Sequence, residues 1–188
     1  MKTTHGADSQ PRLSRRRALT AGAGALATGL AGCLGNGIDD GDGPVAVASF
    51  FSFYDFARTI AEGTPVRIEN LVPTGLHGHG WQPNASVTQD IIEADAFIHV
   101  GPGFQPWADR AIQTLEDDDI DTQLINSREG VELVDLAASL DREEEGVGDQ
   151  QGLDPHFWLD PLRAKTSVDN ITEGLIDLAP DHEERLRS

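Results

Sequence analysis

Val45-Ala46-Val47-Ala48-Ser49-Phe50, Phe51 to Ala61, and Val66-Arg67-Ile68-Glu69-Asn70-Leu71-Val72 are the three consecutive runs that decide the fold. The first is a short apolar strand. In the second, Phe53, Phe56, Ala57 and Ile60 recur at spacings of three and four, the period of a helix. Gly63 and Pro65 stop it. The third run alternates and reads as a strand. The same rhythm continues downstream. Ser86 is expected to cap a helix from Val87 to Ala94, with Ile91 and Ile92 on its apolar face. Ala96-Phe97-Ile98-His99-Val100 is a third strand, Trp107 to Leu115 a helix, Asp117-Asp118-Asp119 a solvated run, and Thr122 to Asn126 a fourth strand. Strands alternating with helices predict an α/β fold: a parallel four-stranded sheet with helices on both faces. Ligands of such sheets sit beyond the carboxyl ends of the strands.

Two histidine-bearing stretches follow strands or open helices. The first is Val72-Pro73-Thr74-Gly75-Leu76-His77-Gly78-His79-Gly80-Trp81-Gln82-Pro83. The second is Asp154-Pro155-His156-Phe157-Trp158-Leu159-Asp160, where Pro155 fixes its own φ and keeps its predecessor out of the helical region. Pro161 then suits the first turn of a helix that runs to Ala179. Imidazole is the commonest protein ligand for zinc-like ions, so two turn-held histidines suggest a metal site built between loops. His156 and His79 are the main candidates, with His77 as a spare ligand. Asp154 and Asp160 are positioned either to orient an imidazole or to cap loop amides. His99, inside a strand, reads as a satisfied core or edge histidine. His5 and His182 receive no role. No His-Glu-x-x-His pattern is present and nothing supplies a general base beside a third ligand, so a metallohydrolase is disfavoured.

These stretches resemble the metal-binding subunits of ABC importers for zinc and manganese (cluster A-I solute-binding proteins). The resemblance runs from about Val45 to the C-terminus through five motifs in order. They are Val47 to Phe56, Val72 to Pro83, Ala94-Asp95-Ala96-Phe97-Ile98, Gly101-Pro102-Gly103-Phe104-Gln105-Pro106-Trp107, and Asp154 to Pro161. In this alignment His79 falls on the family's first histidine and Gln82 on a position that is usually acidic. The resemblance implies a metal carrier and no enzyme, with zinc as the metal, manganese second, and an ABC permease and ATPase as partners. Two imidazoles also favour a borderline metal over a hard one. Such proteins have two lobes joined by a long helix. The expected organisation is therefore a metal-binding N-terminal lobe over residues 45–160 and the start of the inter-lobe helix over 161–188, the second lobe being absent. The resemblance implies that the remaining ligands, a histidine and a carboxylate, come from that lobe; either the gene is truncated, the remainder is encoded separately, or the protein pairs with another subunit. Alternatives are a remnant that does not transport, or a scavenging or adhesion lipoprotein. With one lobe to pack on, the helical stripe Val168, Ile171, Leu175 and Leu178 is expected to be half exposed beyond about Ile171. Zinc-binding relatives carry a histidine-rich segment near residues 129–152. This chain has no histidine between His99 and His156, so a loop without a metal-collecting role is expected there.

Residues 1–33 read as an export signal. Ser14-Arg15-Arg16-Arg17-Ala18-Leu19 is a twin-arginine pattern. The run from Ala18 to Ala31 is too short for a membrane span. Leu30-Ala31-Gly32-Cys33 resembles a lipobox, and Cys33 is the only cysteine of the chain. That excludes an internal disulfide and a cysteine-based zinc site, and makes Cys33 the candidate for lipid attachment to the outer face of the cytoplasmic membrane. The Gly/Asp-rich residues 34–44 read as a flexible linker.

Formal net charge is −18, from 14 basic and 32 acidic residues. Five of the basic residues and one acidic residue precede Cys33, so the remainder carries 9 against 31, a net of −22. Such a surface excludes nucleic acid as a partner, because phosphate binding needs a basic footprint. Lys2 and Lys165 are the only lysines. An acidic, lysine-poor surface is similar to that of proteins from salt-loving archaea. At molar salt the Debye length is about 3 Å, so long-range steering of a metal ion by this charge would be weak.

The signal reading has a direct test. Arg15→Lys with Arg16→Lys is expected to block export, and Cys33→Ala to release an exported chain from the membrane. Fractionation that shows neither change would overturn it.

Overall fold

The structure is a computed structural model, and it describes residues 43–73, 81–135 and 152–188. Four strands form one sheet: β1 (Val45–Ala48), β2 (Arg67–Asn70), β3 (Ala96–His99) and β4 (Gln123–Asn126). Their order is β2-β1-β3-β4 and every neighbouring pair is parallel. All four residues of β3 are buried, as a central parallel strand covered on both faces requires. Strands β2 and β4 lie at the edges and carry polar residues accordingly.

Side chains alternate between two cores. On one face Ala46, Ala48, Ala96, Ile98 and Ile125 meet α1 (Phe51–Ile60) and α4 (Pro161–Leu178). On the other, Val47 and Phe97 meet α2 (Ala85–Glu93) and α3 (Pro106–Asp117). The expected α/β architecture with helices on both faces is therefore the observed one.

Helix starts follow local chemistry. Helix α3 begins with Pro106, whose missing N–H costs nothing there. In α2 the cap is Asn84 rather than the expected Ser86. The Asn84 Oδ1 accepts from the Ser86 backbone N at 3.0 Å and from its Oγ at 2.6 Å. Ser86 sits one residue inside the helix, and the amide side chain before it reaches the orphan N–H first. Helix α4 starts on Asp160, whose Oδ1 accepts from the amides of Leu162 (2.9 Å) and Arg163 (3.2 Å).

The expectation for α4 is corrected at its C-terminal half. Ile171 and Leu175 are fully buried, and Ile176 and Ala179 are buried with them. This half of the helix packs on α1 and β4. Gly174 makes the approach possible, since a Cβ there would lie 2.7 Å from the Cδ1 of Ile125. After the 3-10 turn Pro180–His182, the short α5 (Glu183–Leu186) buries Leu186 in the same core. Exposure lies instead at the N-terminal end, where Leu159 is 75% and Leu162 81% exposed. The stripe reading misplaced it because the strand edge that covers the helix comes from β4, far away in sequence.

A short antiparallel pair, β5 (Val134–Asp135) with β6 (Leu153–Asp154), precedes the second histidine stretch. The rest of the expected polar loop, residues 136–151, lies outside the described residues.

Since the inner face of this stretch, Ile171, Leu175 and Ile176, is sealed into the core, amides from Ile171 to Leu178 should exchange with solvent no faster than those of β3, at the rate of global unfolding. Hydrogen exchange that shows the end of α4 opening well before β3 would contradict this packing.

Candidate metal centre

Strand order reverses between β1 and β3, since the chain runs from β1 outward to β2 and then returns to the other side of β1. The crevice beyond the carboxyl ends at such a switch point is where open α/β sheets bind ligands. The segment after β6 docks there. Trp158 contacts Phe50, which follows β1, with ring centroids 4.8 Å apart, and Phe104, in the loop after β3, at 5.5 Å. Phe157 is buried and stacks on Phe53 of α1 at 5.8 Å. Pro155 is also fully buried. These three side chains anchor the 3-10 turn Phe157–Leu159 and leave His156 half-buried, its side chain 24% exposed.

One carboxylate oxygen holds the histidine twice. Asp154 Oδ1 accepts from the His156 backbone N at 2.9 Å and pairs with Nδ1 at 2.8 Å. A carboxylate only accepts, so Nδ1 carries the proton and the lone pair of the neutral ring sits on Nε2. This is the hydrogen-bonding pattern that sets the tautomer of metal-ligating histidines. The indole of Trp158 meets the imidazole edge at 5.4 Å and 65°.

The other sequence candidates distribute as follows. His77 and His79 lie in residues 74–80, outside the described residues, as does Cys33. The chain enters that loop from the end of β2 and leaves it at Trp81, which packs edge-on against Trp107 of α3 at 5.2 Å. Among the described residues no three histidine, cysteine, aspartate or glutamate side chains converge on a metal position. Asp160 takes the capping alternative. It holds the two first amides of α4 and pairs with Arg163, Oδ2 to Nη1, at 3.3 Å. The amide bonds, that of Arg163 first, keep its carboxyl below the usual carboxylate range.

His99 departs from its expected satisfaction. It is buried, 7% exposed, and its Nδ1 has no hydrogen-bond partner among the described residues. Burial, aided by the charge of Arg128, lowers its pKa from 6.5 to about 4. Around it lies a buried polar collar that the sequence reading missed. Ser127 Oγ donates to the His99 carbonyl at 2.7 Å, and Gln105 Nε2 donates to the Ser49 carbonyl at 2.8 Å. Ser49, Gln105 and Ser127 each stand just beyond a strand end or before a helix, and all three are buried. The available signal was a polar residue directly after an apolar strand, as at Ser49, or directly before a helix, as at Gln105.

Solved structures share this lobe. Zn(II)-bound AdcA from Streptococcus pneumoniae superposes with a TM-score of 0.62 at 25% identity, covering 78% of this chain and 28% of that one. The fold is thus that of one lobe of a solute-binding protein, a class of binding proteins and not of enzymes. Residues 46–188 match the family model for ZnuA, the periplasmic zinc-uptake complex component A, and the chain belongs to that family. Curated relatives include the manganese-binding lipoprotein MntA of Halalkalibacterium halodurans, 31% identical over 163 residues, which cover 87% of this chain and 47% of the relative. The high-affinity zinc uptake system protein ZnuA of Bacillus subtilis is 26% identical over 155 residues, covering 80% of this chain and 47% of the relative. The chain spans about half the length of these two relatives.

The buried imidazole gives a pH dependence with a definite sign. Folded His99 stays neutral down to about pH 4, while the unfolded chain takes up the proton near pH 6.5. Its contribution is complete above pH 6.5 and is lost as pH falls from there through about 4. Between pH 7 and pH 5 the His99 chain should lose roughly 1–2 kcal/mol relative to a His99→Phe variant. Urea unfolding of both at the two pH values measures this, and parallel behaviour would refute it.

Proposed function

We propose that this chain is the extracytoplasmic metal-binding component of an ABC importer, carrying zinc ahead of manganese to a membrane permease driven by its ATPase. The observation that carries the reading is the His156 imidazole, held through Nδ1 by Asp154 beside the switch point of the sheet. His156 would bind the metal through Nε2, with His79 as the second ligand and His77 close behind it in the loop after β2. Asp154 orients the ring. In this reading residues 45–160 are the metal-binding lobe and 161–188 the start of a helix toward a second lobe. That lobe, from this or another chain, completes the coordination sphere with a histidine and a carboxylate. Export through the twin-arginine signal and lipid attachment at Cys33 would tether the carrier to the outer face of the membrane. The zinc preference rests on imidazole donors, which suit a borderline ion better than a hard one. The names of the relatives supply both metals: zinc for the Bacillus subtilis and Streptococcus pneumoniae proteins, manganese for the Halalkalibacterium halodurans protein.

Titration of the full chain with zinc and with manganese tests this. Zinc should bind more tightly, and His156→Ala combined with His79→Ala should abolish zinc binding. Asp154→Asn should weaken it by about tenfold to a hundredfold, as loss of the carboxylate behind a ligating imidazole does elsewhere. A zinc site that survives the double histidine variant would remove both residues from the assignment.

A further inference from the structure

On the reading of His156 as a metal ligand, we infer that two copies of this chain join across one zinc ion through the apolar face around that histidine. A second copy then stands where that reading places a second lobe. Phe51, Leu159 and Leu162 are 57%, 75% and 81% exposed. The Leu159 backbone N–H donates to the His156 carbonyl at 3.1 Å, and Leu162 is the second residue of α4. Phe51 packs on Phe50 at 4.7 Å, and Phe50 on Trp158 at 4.8 Å. Phe51 and Trp158, with Tyr54 and Phe56, wall an open groove of about 470 Å³. Projecting leucines beside an aromatic groove make a face complementary to itself. About a twofold axis, the leucines of one copy enter the groove of the other, the isologous contact of a symmetric dimer. The same axis brings the two His156 side chains to one ion. Zinc sites hold three protein ligands, or four where they are closed. Among the described residues of one copy, no three histidine, cysteine, aspartate or glutamate side chains converge. Three side chains per copy fall well short of the roughly 800 Å² per partner of a standard interface, so the apolar contact alone is weak and the ion decides the equilibrium. Charge does not oppose the contact locally. Asp55 is paired with Arg58, Asp160 with Arg163 and Asp154 with His156. Repulsion between copies comes from the rest of the net charge of −18, at longer range, where salt screens it.

Light scattering of the full chain, with and without zinc and over a range of salt, tests this. Zinc should tighten self-association roughly 5–150-fold at one ion per two chains, and the dimer should hold zinc more tightly by the same factor. Added salt should strengthen the dimer, whereas a contact made through ion pairs would weaken. Leu159→Glu with Leu162→Glu should keep the chain single with zinc present, and so should His156→Ala. Both leucines are exposed, so the circular dichroism of the glutamate variant should be unchanged. Leu159→Ala with Leu162→Ala, which adds no charge, should show a smaller loss of the same sign. A chain that binds zinc through His156 and stays single overturns the inference and leaves the ligand reading standing. A zinc-linked dimer that survives both leucine variants overturns the face. Zinc binding undiminished in His156→Ala ends the ligand reading and the bridge with it.

Discussion

The packing of Phe157 and Trp158 onto Phe50, Phe53 and Phe104 is the contact on which the rest of the lobe depends. It joins a segment after residue 152 to the ends of β1 and β3, more than fifty residues earlier in the chain. Burying a phenylalanine side chain is worth about 1.5–3 kcal/mol, and each well-formed aromatic pair adds about 0.5–1.5. Those sums are comparable with the net stability of a small domain, about 5–15 kcal/mol. The same contact sets two other things. It places His156 at the carboxyl edge of the sheet, and it sets Asp160 where it caps α4, so the helix begins in line with the groove between α1 and β4. Without the aromatic anchor, neither the histidine nor the helix start would have a fixed position.

Much of this was legible in the sequence because local rules and the global fold agree. The two central strands are short apolar runs, β2 alternates, and the helices between them keep the spacing of three and four. Pro155 and Pro161 restrict the backbone on either side of His156, so its turn could be read from residue type alone. What remained hidden depends on neighbours remote in sequence. The cover over Ile171 and Leu175 comes from β4 and α1, and a stripe on a helix does not say what it faces. Ser86 and Asn84 are both competent caps, and which of them leads is settled by a shift of two residues. His99 was read as satisfied because buried polar groups nearly always are. Its ring instead stacks on Phe97 of the second core, with centroids 6.0 Å apart, and its Nδ1 has no hydrogen-bond partner among the described residues. As for the site, Asp154 and Asp160 are the same residue type six positions apart, and either was suited to either role. The backbone decided between them, turning Asp154 back onto the imidazole and Asp160 onto the first turn of a helix.

Charge plays a smaller part in this architecture than the net of −18 suggests. The ion pairs of Arg58 with Asp55 and of Lys165 with Asp169 are exposed, within single helices, where such pairs contribute little. Arg187 differs in geometry. Its guanidinium forks onto both oxygens of Glu173, at 2.6 and 2.9 Å, and reaches Glu183 at 3.0 Å. It therefore ties α5 back to α4 and fixes register rather than adding much energy. The acidic majority has few basic partners, which leaves the aromatic and aliphatic cores to hold the lobe together. Two layers of apolar packing then carry a polar edge, and that edge is where the fold holds an imidazole whose Nδ1 has no partner among the described residues. The cost of that burial falls on the sheet, at the carboxyl end of β3. The half-buried imidazole of His156 is instead bonded to a carboxylate. Two histidines of this lobe, His99 and His156, thus have opposite environments. One is kept neutral by burial, and the other has its tautomer set by Asp154, which leaves the lone pair of the neutral ring on Nε2.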